Sequence, residues 1–276
     1  MAEKTEETKN RKRAVLIGCG NLGSVIAAGI AEDLAGQWEL AGIMDSNAET
    51  ARTAAQKYGC SVCDDVPGIA ALCPDVVIEA AGPGVLRTYA EPVLEFADLM
   101  PLSVGAFADD GFYRAVREKA AANGHRIHIV SGAIGGLDLM QSVLFAGDLH
   151  ARIITEKGPA SLKGAPWFDE HPLDETKETV VFRGDAIEAI KGFPKNVNVA
   201  VACALATTGT KEIYVEIDSI PGKSLNTHRI ILEGDFGRAS VEIESRPTPD
   251  NPRSSTLAAY SVLARLKNMT DTVSFI

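Results

Sequence analysis

The chemistry this chain could carry sits in a few short stretches. Gly18-Cys19-Gly20-Asn21-Leu22-Gly23 follows the apolar run Ala14-Val15-Leu16-Ile17. A buried strand that enters a glycine turn and then opens a helix makes a site for the pyrophosphate of a dinucleotide. Gly18 allows the sharp turn, Gly20 lets the backbone approach the phosphates, and Gly23 lets the helix sit close to the strand. The phosphates would lie over the N–H groups around Asn21 and Leu22, where a helix start favours negative charge. Asp45 closes the next apolar run. There it can accept hydrogen bonds from the adenosine ribose and repel a 2′-phosphate, which favours NAD; the small neutral Ser46 and Asn47 leave NADP use open. Asp45, Ser46 or Asn47 would also serve as a helix N-cap.

His228, in Asn226-Thr227-His228-Arg229, is the candidate catalytic residue. Imidazole is the side chain suited to moving protons near neutral pH. It lies at the mouth of an expected strand, and Asp218, ending the preceding strand, is expected to orient it. A surface hydrogen-bonding histidine would read the same way. Asn196 and Asn198 stand at the start of an apolar helix, as caps or as partners for a carboxamide or carboxylate. Lys163, Lys195 and the backbone N–H groups of 132–136, Gly135 among them, are candidate anion anchors, as is Asn226 beside His228. The other histidines, His125, His128, His150 and His171, are scattered, so no metal site is expected.

These residues need a frame. Strands are expected at 14–17, 39–44, 61–64, 75–79 and 126–130, with an extended run at 99–104 and helices between them. That rhythm defines an α/β class: an N-terminal Rossmann domain, residues 11–130, with a parallel sheet covered on both faces. Ligands sit over the strand ends of such sheets, so Ala81, in the turn after strand 75–79, is expected to touch the nicotinamide side. The pattern changes at Ser131. Strands at 150–156, 179–182, 211–218, 227–233 and 238–244, with helices at 137–146, 184–191 and 196–206, make a second, α+β domain. It spans 131–250, has a mixed or antiparallel sheet, and is expected to carry substrate and catalysis. Residues 157–177 are long and Gly/Pro-rich, a candidate lid or substrate loop. Residues 251–276 are expected to form a C-terminal helix, 254–266, packing back on the first domain, with a last strand at 271–275. Residues 1–10 read as a charged, disordered lead-in without a targeting core.

At 276 residues the chain can hold two modest domains with real cores. It has 37 acidic against 27 basic residues, a formal net charge of -10. That argues against nucleic acid held by the overall field, and not against small anionic ligands. No apolar run reaches the about 18 residues of a membrane span, so no membrane partner is expected. The five cysteines, including the pair in Cys60-Ser61-Val62-Cys63, read as reduced thiols of a cytoplasmic protein.

Several stretches together resemble the L-aspartate dehydrogenase family. They are Gly18 to Gly23, Ser103-Val104-Gly105-Ala106-Phe107-Ala108-Asp109, Ser131-Gly132-Ala133-Ile134-Gly135-Gly136-Leu137-Asp138, Phe193-Pro194-Lys195-Asn196-Val197-Asn198-Val199-Ala200, Asn226-Thr227-His228 and Asn251-Pro252-Arg253-Ser254-Ser255. The resemblance covers nearly all of the chain after Arg11. It implies a layout similar to dihydrodipicolinate reductase and homoserine dehydrogenase. It also implies NAD- or NADP-dependent oxidation of L-aspartate to iminoaspartate, which yields oxaloacetate and ammonia, linked to NAD biosynthesis. On the family pattern Ala133 and Asn198 contact the cofactor. His228 is the active-site histidine, activating water against the imine carbon or shuttling protons, with aspartate bound between the domains. Gly158 stands where the family commonly has proline, so the loop 157–164 departs in shape. A homodimer is the expected assembly, with hand-over of iminoaspartate to a downstream biosynthetic enzyme. Two other classes share the glycine turn and Asp45: an oxidoreductase for another amino acid or an oxo acid, and a non-catalytic NAD-binding sensor. Turnover of aspartate, against homoserine or malate, separates them.

Overall fold

The computed structural model describes residues 11–194, 197–248 and 251–275. The lead-in 1–10, Lys195 and Asn196 lie outside the described residues. The chain divides into two compact units, one running to Ala106 with Asp110–Val130 and the chain from Ala259, the other Phe107–Asp109 with Ser131–Ala258.

In the first unit, β1 (Lys12–Ile17), α1 (Asn21–Ala31), β2 (Trp38–Met44), α2 (Ala48–Tyr58), β3 (Ser61–Val62), α3 (Val66–Ala71), β4 (Val76–Glu79), α4 (Pro83–Val93), β5 (Asp98–Pro101) and α5 (Asp110–Asn123) follow in order. The strands pair in parallel as β3-β2-β1-β4-β5. This is the Rossmann strand order without its sixth strand, and such sheets take their ligands at the carboxyl edge. Val15, Leu16, Val76, Val77 and Ile78 are wholly buried, as strands covered on both faces must be. The expected strand 126–130 is not a sixth strand. Only Ile127 bridges to Leu99. Two backbone bonds hold this segment to β5, Leu99 N to Arg126 O at 2.9 Å and His128 N to Leu99 O at 2.8 Å, and the Asp98 carboxylate adds to them, accepting from Arg126 N at 2.9 Å and lying 2.8 Å from His128 Nε2. In the expected extended run 99–104 the strand stops at Pro101, and a 3-10 turn follows at Val104–Ala108.

The second unit contains α6 (Leu137–Val143), β6 (Leu149–Lys157), α7 (Pro159–Leu162), β7 (Thr179–Gly184), α8 (Ala186–Gly192), α9 (Asn198–Ala206), β8 (Tyr214–Ser219), β9 (Asn226–Gly234), β10 (Gly237–Ser245) and the small pair β11 (Pro247–Thr248) and β12 (Asn251–Ser255). Its main sheet runs β10-β9-β6-β8-β7 and is mixed: β6 and β8 are parallel, every other neighbour antiparallel. The uncharged α9 is buried along Val199, Ala200, Val201 and Cys203. α8 opens with a capping box between Asp185 and Glu188. The expected lid 157–177 is anchored at Trp167, whose ring meets Phe182 edge-on and packs near Phe193, while His171 stacks on it at 4.0 Å.

The last helix, α10 (Leu257–Thr270), joins the core of the first unit from Ala259 onward. Trp38 Nε1 donates to Leu266 O at 2.9 Å. Gly29 leaves room for Leu263, whose Cδ1 would lie 2.2 Å from a Cβ there. The expected strand 271–275 is absent: the Asn268 side chain turns the chain back, bonding Phe275 at 3.0 and 3.2 Å. Among the described residues no helix is long and apolar enough to cross a membrane.

Candidate active site

The glycine turn is built by close approach. Gly18 has φ 92° and its N–H donates to Met44 O at 2.8 Å. A Cβ at Gly18 would lie 2.8 Å from the backbone of Ala81, and one at Gly23 would lie 2.0 Å from Gly18 O. Gly18 and Gly23 are therefore packed too tightly for side chains, Gly18 against Ala81 and Gly23 against Gly18 itself. Gly20 differs, since a Cβ there would meet nothing within 4 Å. It is the N-cap of α1, no side chain caps that helix, and no acid stands in its first turn. The N–H groups at Asn21 and Leu22 thus meet the conditions for holding a phosphate.

Asp45 sits beside this turn. Its Oδ2 accepts from Cys19 N at 2.7 Å and its Oδ1 from Asn47 N at 2.8 Å. The cap of α2 is Asn47, whose Oδ1 accepts from Glu49 N and Thr50 N. Asp45 keeps further lone pairs on both oxygens, so it can still take ribose hydroxyls. The sequence reading missed Glu79, which is buried. Its Oε1 accepts from Ala81 N at 2.8 Å, Gly82 N at 2.7 Å and Ser103 Oγ at 2.9 Å, and its Oε2 from Ser103 N at 3.1 Å. Burial raises its pKa, opposed by those same hydrogen bonds. Glu79 thereby ties the turn carrying Ala81 to the end of β5. The available signal was an acid closing the otherwise apolar β4.

In the second unit His228 is 2% exposed and stands opposite Thr155 across β9 and β6. Its Nδ1 lies 3.0 Å from Thr155 Oγ1. Burial, with the Lys157 ammonium as the second cause, pushes His228 down to about 3, so the imidazole is neutral at neutral pH. Asp218 does not orient it. Asp218 pairs with Glu156 across β8 and β6, one residue out of phase with Thr155, and so belongs to the other face. There burial, then Glu216 and Glu156, pushes Asp218 up to about 6.

One step along the sheet from His228 lies a row of buried polar residues. Ser245 pairs with Asn226 across β10 and β9, and Lys157 pairs with Ser219 across β6 and β8. Lys157 is 2% exposed, and burial pushes it down to about 8. Among the described residues the hydroxyls of Ser219 and Ser245 have no hydrogen-bond partner. Thr155, Lys157 and Ser219 were also missed by sequence reading. The signal for Lys157 was its phase with the inward Ala151 and Ile153 on β6.

The remaining candidates are placed as follows. Ala133 and Gly135 lie half-buried in the turn entering α6, with Gly132 and Gly136 at φ 64° and 75°. α6 packs on α9, whose first residue is the half-buried Asn198. Lys163 follows α7, and its exposed ammonium pairs with Glu175 at 2.8 Å. The buried cation on the His228 face is Lys157, not Lys163.

A family model described as aspartate dehydrogenase, C-terminal, matches residues 138–269. One described as homoserine dehydrogenase, NAD binding domain, matches residues 18–130. The L-aspartate dehydrogenase of Methanospirillum hungatei is 36% identical over 258 residues, covering 93% of this chain and 96% of that protein. That of Methanocaldococcus jannaschii is 31% identical, covering 94% and 97%. The crystal structure of aspartate dehydrogenase from Thermotoga maritima matches with a TM-score of 0.76 at 27% identity, covering 97% of this chain and 100% of that one.

Proposed function

This chain belongs to the L-aspartate dehydrogenase family, and from that premise we propose that it oxidises L-aspartate with NAD to iminoaspartate, which water converts to oxaloacetate and ammonia. The observation that carries the reading is His228, buried, neutral and held by Thr155 in the segment matched to aspartate dehydrogenases.

The first unit holds the cofactor: Gly18, Gly20 and Gly23 shape the turn, Asn21 and Leu22 offer N–H groups, and Asp45 takes the ribose. Asp45 stands where a 2′-phosphate would meet a carboxylate, so NAD is preferred over NADP. When bound, NAD supplies the acceptor for hydride from Cα. The second unit handles protons. The substrate amine must be neutral before hydride can leave, since an ammonium has no lone pair to form the C=N bond. With Nδ1–H donating to Thr155 Oγ1, His228 presents a lone pair on Nε2. It takes a proton from water as that water attacks the imine carbon, and returns it to the departing nitrogen. Ala133 and Asn198 complete the cofactor contacts, and Asn226 and the backbone at Gly135 orient the substrate.

The same reading places the enzyme in the cytoplasm, in keeping with five unpaired thiols, as a homodimer whose imine passes to a biosynthetic enzyme before water consumes it. The direct test is growth of reduced-nicotinamide absorbance with NAD and L-aspartate at mildly alkaline pH, beside D-aspartate, L-malate and L-homoserine. A rise with L-aspartate alone is expected. A rise with malate or homoserine instead would transfer the fold to another substrate, and binding of NAD with no turnover would make the protein a sensor.

A further inference from the structure

We propose that Lys157 is the specificity-determining cation of this site, pairing with the side-chain carboxylate of a dicarboxylate substrate while Ser219 and Asn226, its neighbours in the row, donate to the same group. This rests on the reading of L-aspartate as substrate and deepens it.

Lys157 is buried without a counter-ion. Among the described residues its ammonium has no ion pair and no hydrogen bond. The carboxylates nearby in sequence face away from it. Glu156 is on the other face of β6, paired with Lys223 at 2.9 Å and near Arg229 at 3.8 Å. Asp218 shares that outer face on β8, and Glu242 and Glu244 bond Arg229 and Thr227. Of the helices on the buried side, α9 has no charged residue. Glu188 of α8 is engaged in the capping box, and Lys191 is exposed at that helix's end. Among the described residues the titratable group sharing the Lys157 face is His228, which is neutral. A buried ammonium without an anion is costly, and the cost is removed when a ligand brings the anion.

The neighbours of Lys157 fit that ligand. Ser219 is fully buried, adjacent across β8, and its hydroxyl is unpartnered. Asn226 extends the row on β9, next to the Glu156–Thr227 pair. Adjacent strands are about 4.8 Å apart, close enough for three side chains to share one carboxylate. The His228–Thr155 pair lies two residues further along the strands, a step of about 7 Å. That step suits the carboxylate remote from the reacting carbon, leaving Cα beside the imidazole. Bound negative charge would favour the protonated forms of both Lys157 and His228, so a dicarboxylate also improves the histidine as a base.

The experiment compares wild type with Lys157→Met, Lys157→Arg and Ser219→Ala. It measures KM and kcat for L-aspartate, inhibition by succinate and by L-asparagine, the Kd of NAD and the thermal midpoint. Lys157→Met is expected to raise KM for aspartate and Ki for succinate by at least about 30-fold. Inhibition by asparagine should change less than about threefold, NAD affinity should hold, and the midpoint should not fall. Lys157→Arg should keep succinate binding within about tenfold. Succinate does not titrate above neutrality, so its wild-type Ki should rise as pH passes about 8, where Lys157 loses its charge, and stay flat in Lys157→Arg. Ser219→Ala should weaken succinate by about fivefold. Unchanged succinate inhibition in Lys157→Met, or an equal loss for asparagine, would overturn the proposal. So would a collapse of kcat in Lys157→Arg at unchanged KM, which would make Lys157 a proton carrier. If wild type failed to oxidise L-aspartate at all, the parent reading would fall separately.

Discussion

The glycine turn of the first unit and the buried face of the second solve the same problem, placing polar groups under a ligand, in opposite ways. The turn works with backbone. On the proposed reading its N–H groups would do the binding, and its carboxylates, Asp45 and Glu79, order the neighbouring chain through Cys19, Asn47, Ala81, Gly82 and Ser103. The buried face works with side chains. Thr155, Lys157, Ser219, Asn226, His228 and Ser245 all project from strands whose backbone is occupied in the ladder. A backbone site should tolerate changes of chemistry and fail on added volume. A side-chain site should do the reverse.

The largest expected effect tests the second half of that contrast. His228→Ala should lower kcat by roughly 10²- to 10⁴-fold, the usual range for a positioned acid–base group. NAD affinity, measured by fluorescence titration, should stay within about twofold. A parallel loss of NAD binding would mean that the two regions are not separable. Next comes added volume in the turn. In Gly23→Val the new side chain meets Gly18 O, and overpacking of this kind costs about 1–3 kcal/mol. NAD should bind roughly ten- to a hundredfold more weakly, with a lowered thermal midpoint and kcat at saturating NAD nearly preserved. Gly20→Ala sharpens the point: its Cβ meets no protein atom, so NAD affinity should fall while the midpoint holds.

A smaller effect is expected at Thr155. Thr155→Val keeps the shape and removes the 3.0 Å contact to His228 Nδ1, worth about 1 kcal/mol, or roughly fivefold in kcat. The conservative Thr155→Ser should restore most of it. No change in kcat for Thr155→Val would show that packing alone orients the imidazole.

The contrast also explains what could be read from the sequence. A backbone site is written in contiguous residues, so the glycine turn, Asp45 and the turn at Ala81 stand out from spacing alone. The Rossmann sheet and the mixed second sheet were legible for the same reason, because apolar runs and turn residues are local signals. His228 was legible as a residue type in a short segment. Its partner was not, because cross-strand neighbours depend on register. A choice of Asp218 over Thr155 is a choice between faces, and one residue of phase decides it. Lys157 was overlooked in favour of Lys163 because lysine is presumed exposed; here it shares the phase of Ala151 and Ile153. The strand expected at 126–130 shrinks to one bridge, because Arg126 N bonds the Asp98 side chain and Pro101 has no N–H to extend the pairing, and that at 271–275 failed where the Asn268 side chain took the bonds of Phe275.

Asp218 gives the smallest effect and the cleanest check on the division between faces. Its pKa is raised to about 6 in the folded chain, against an ordinary value near 3.8. The folded state therefore holds this proton more tightly than the unfolded state. Its contribution to stability is most favourable below about pH 4 and is lost as pH rises through 6. The sign is opposite for His228, whose pKa is lowered to about 3 and whose contribution is lost as pH falls below about 6.5. Asp218→Asn should remove only the first of these trends. The difference in thermal midpoint between variant and wild type should grow in the variant's favour from pH 4 to pH 7. The corresponding difference in unfolding free energy should stay below about 1 kcal/mol, because the carboxylate is partly solvated and screened. Turnover should remain within about twofold, since Asp218 faces away from the imidazole. A loss of kcat as large as that of Thr155→Val would mean that charge on the outer face reaches His228 through the sheet, and the two faces could no longer be treated as independent.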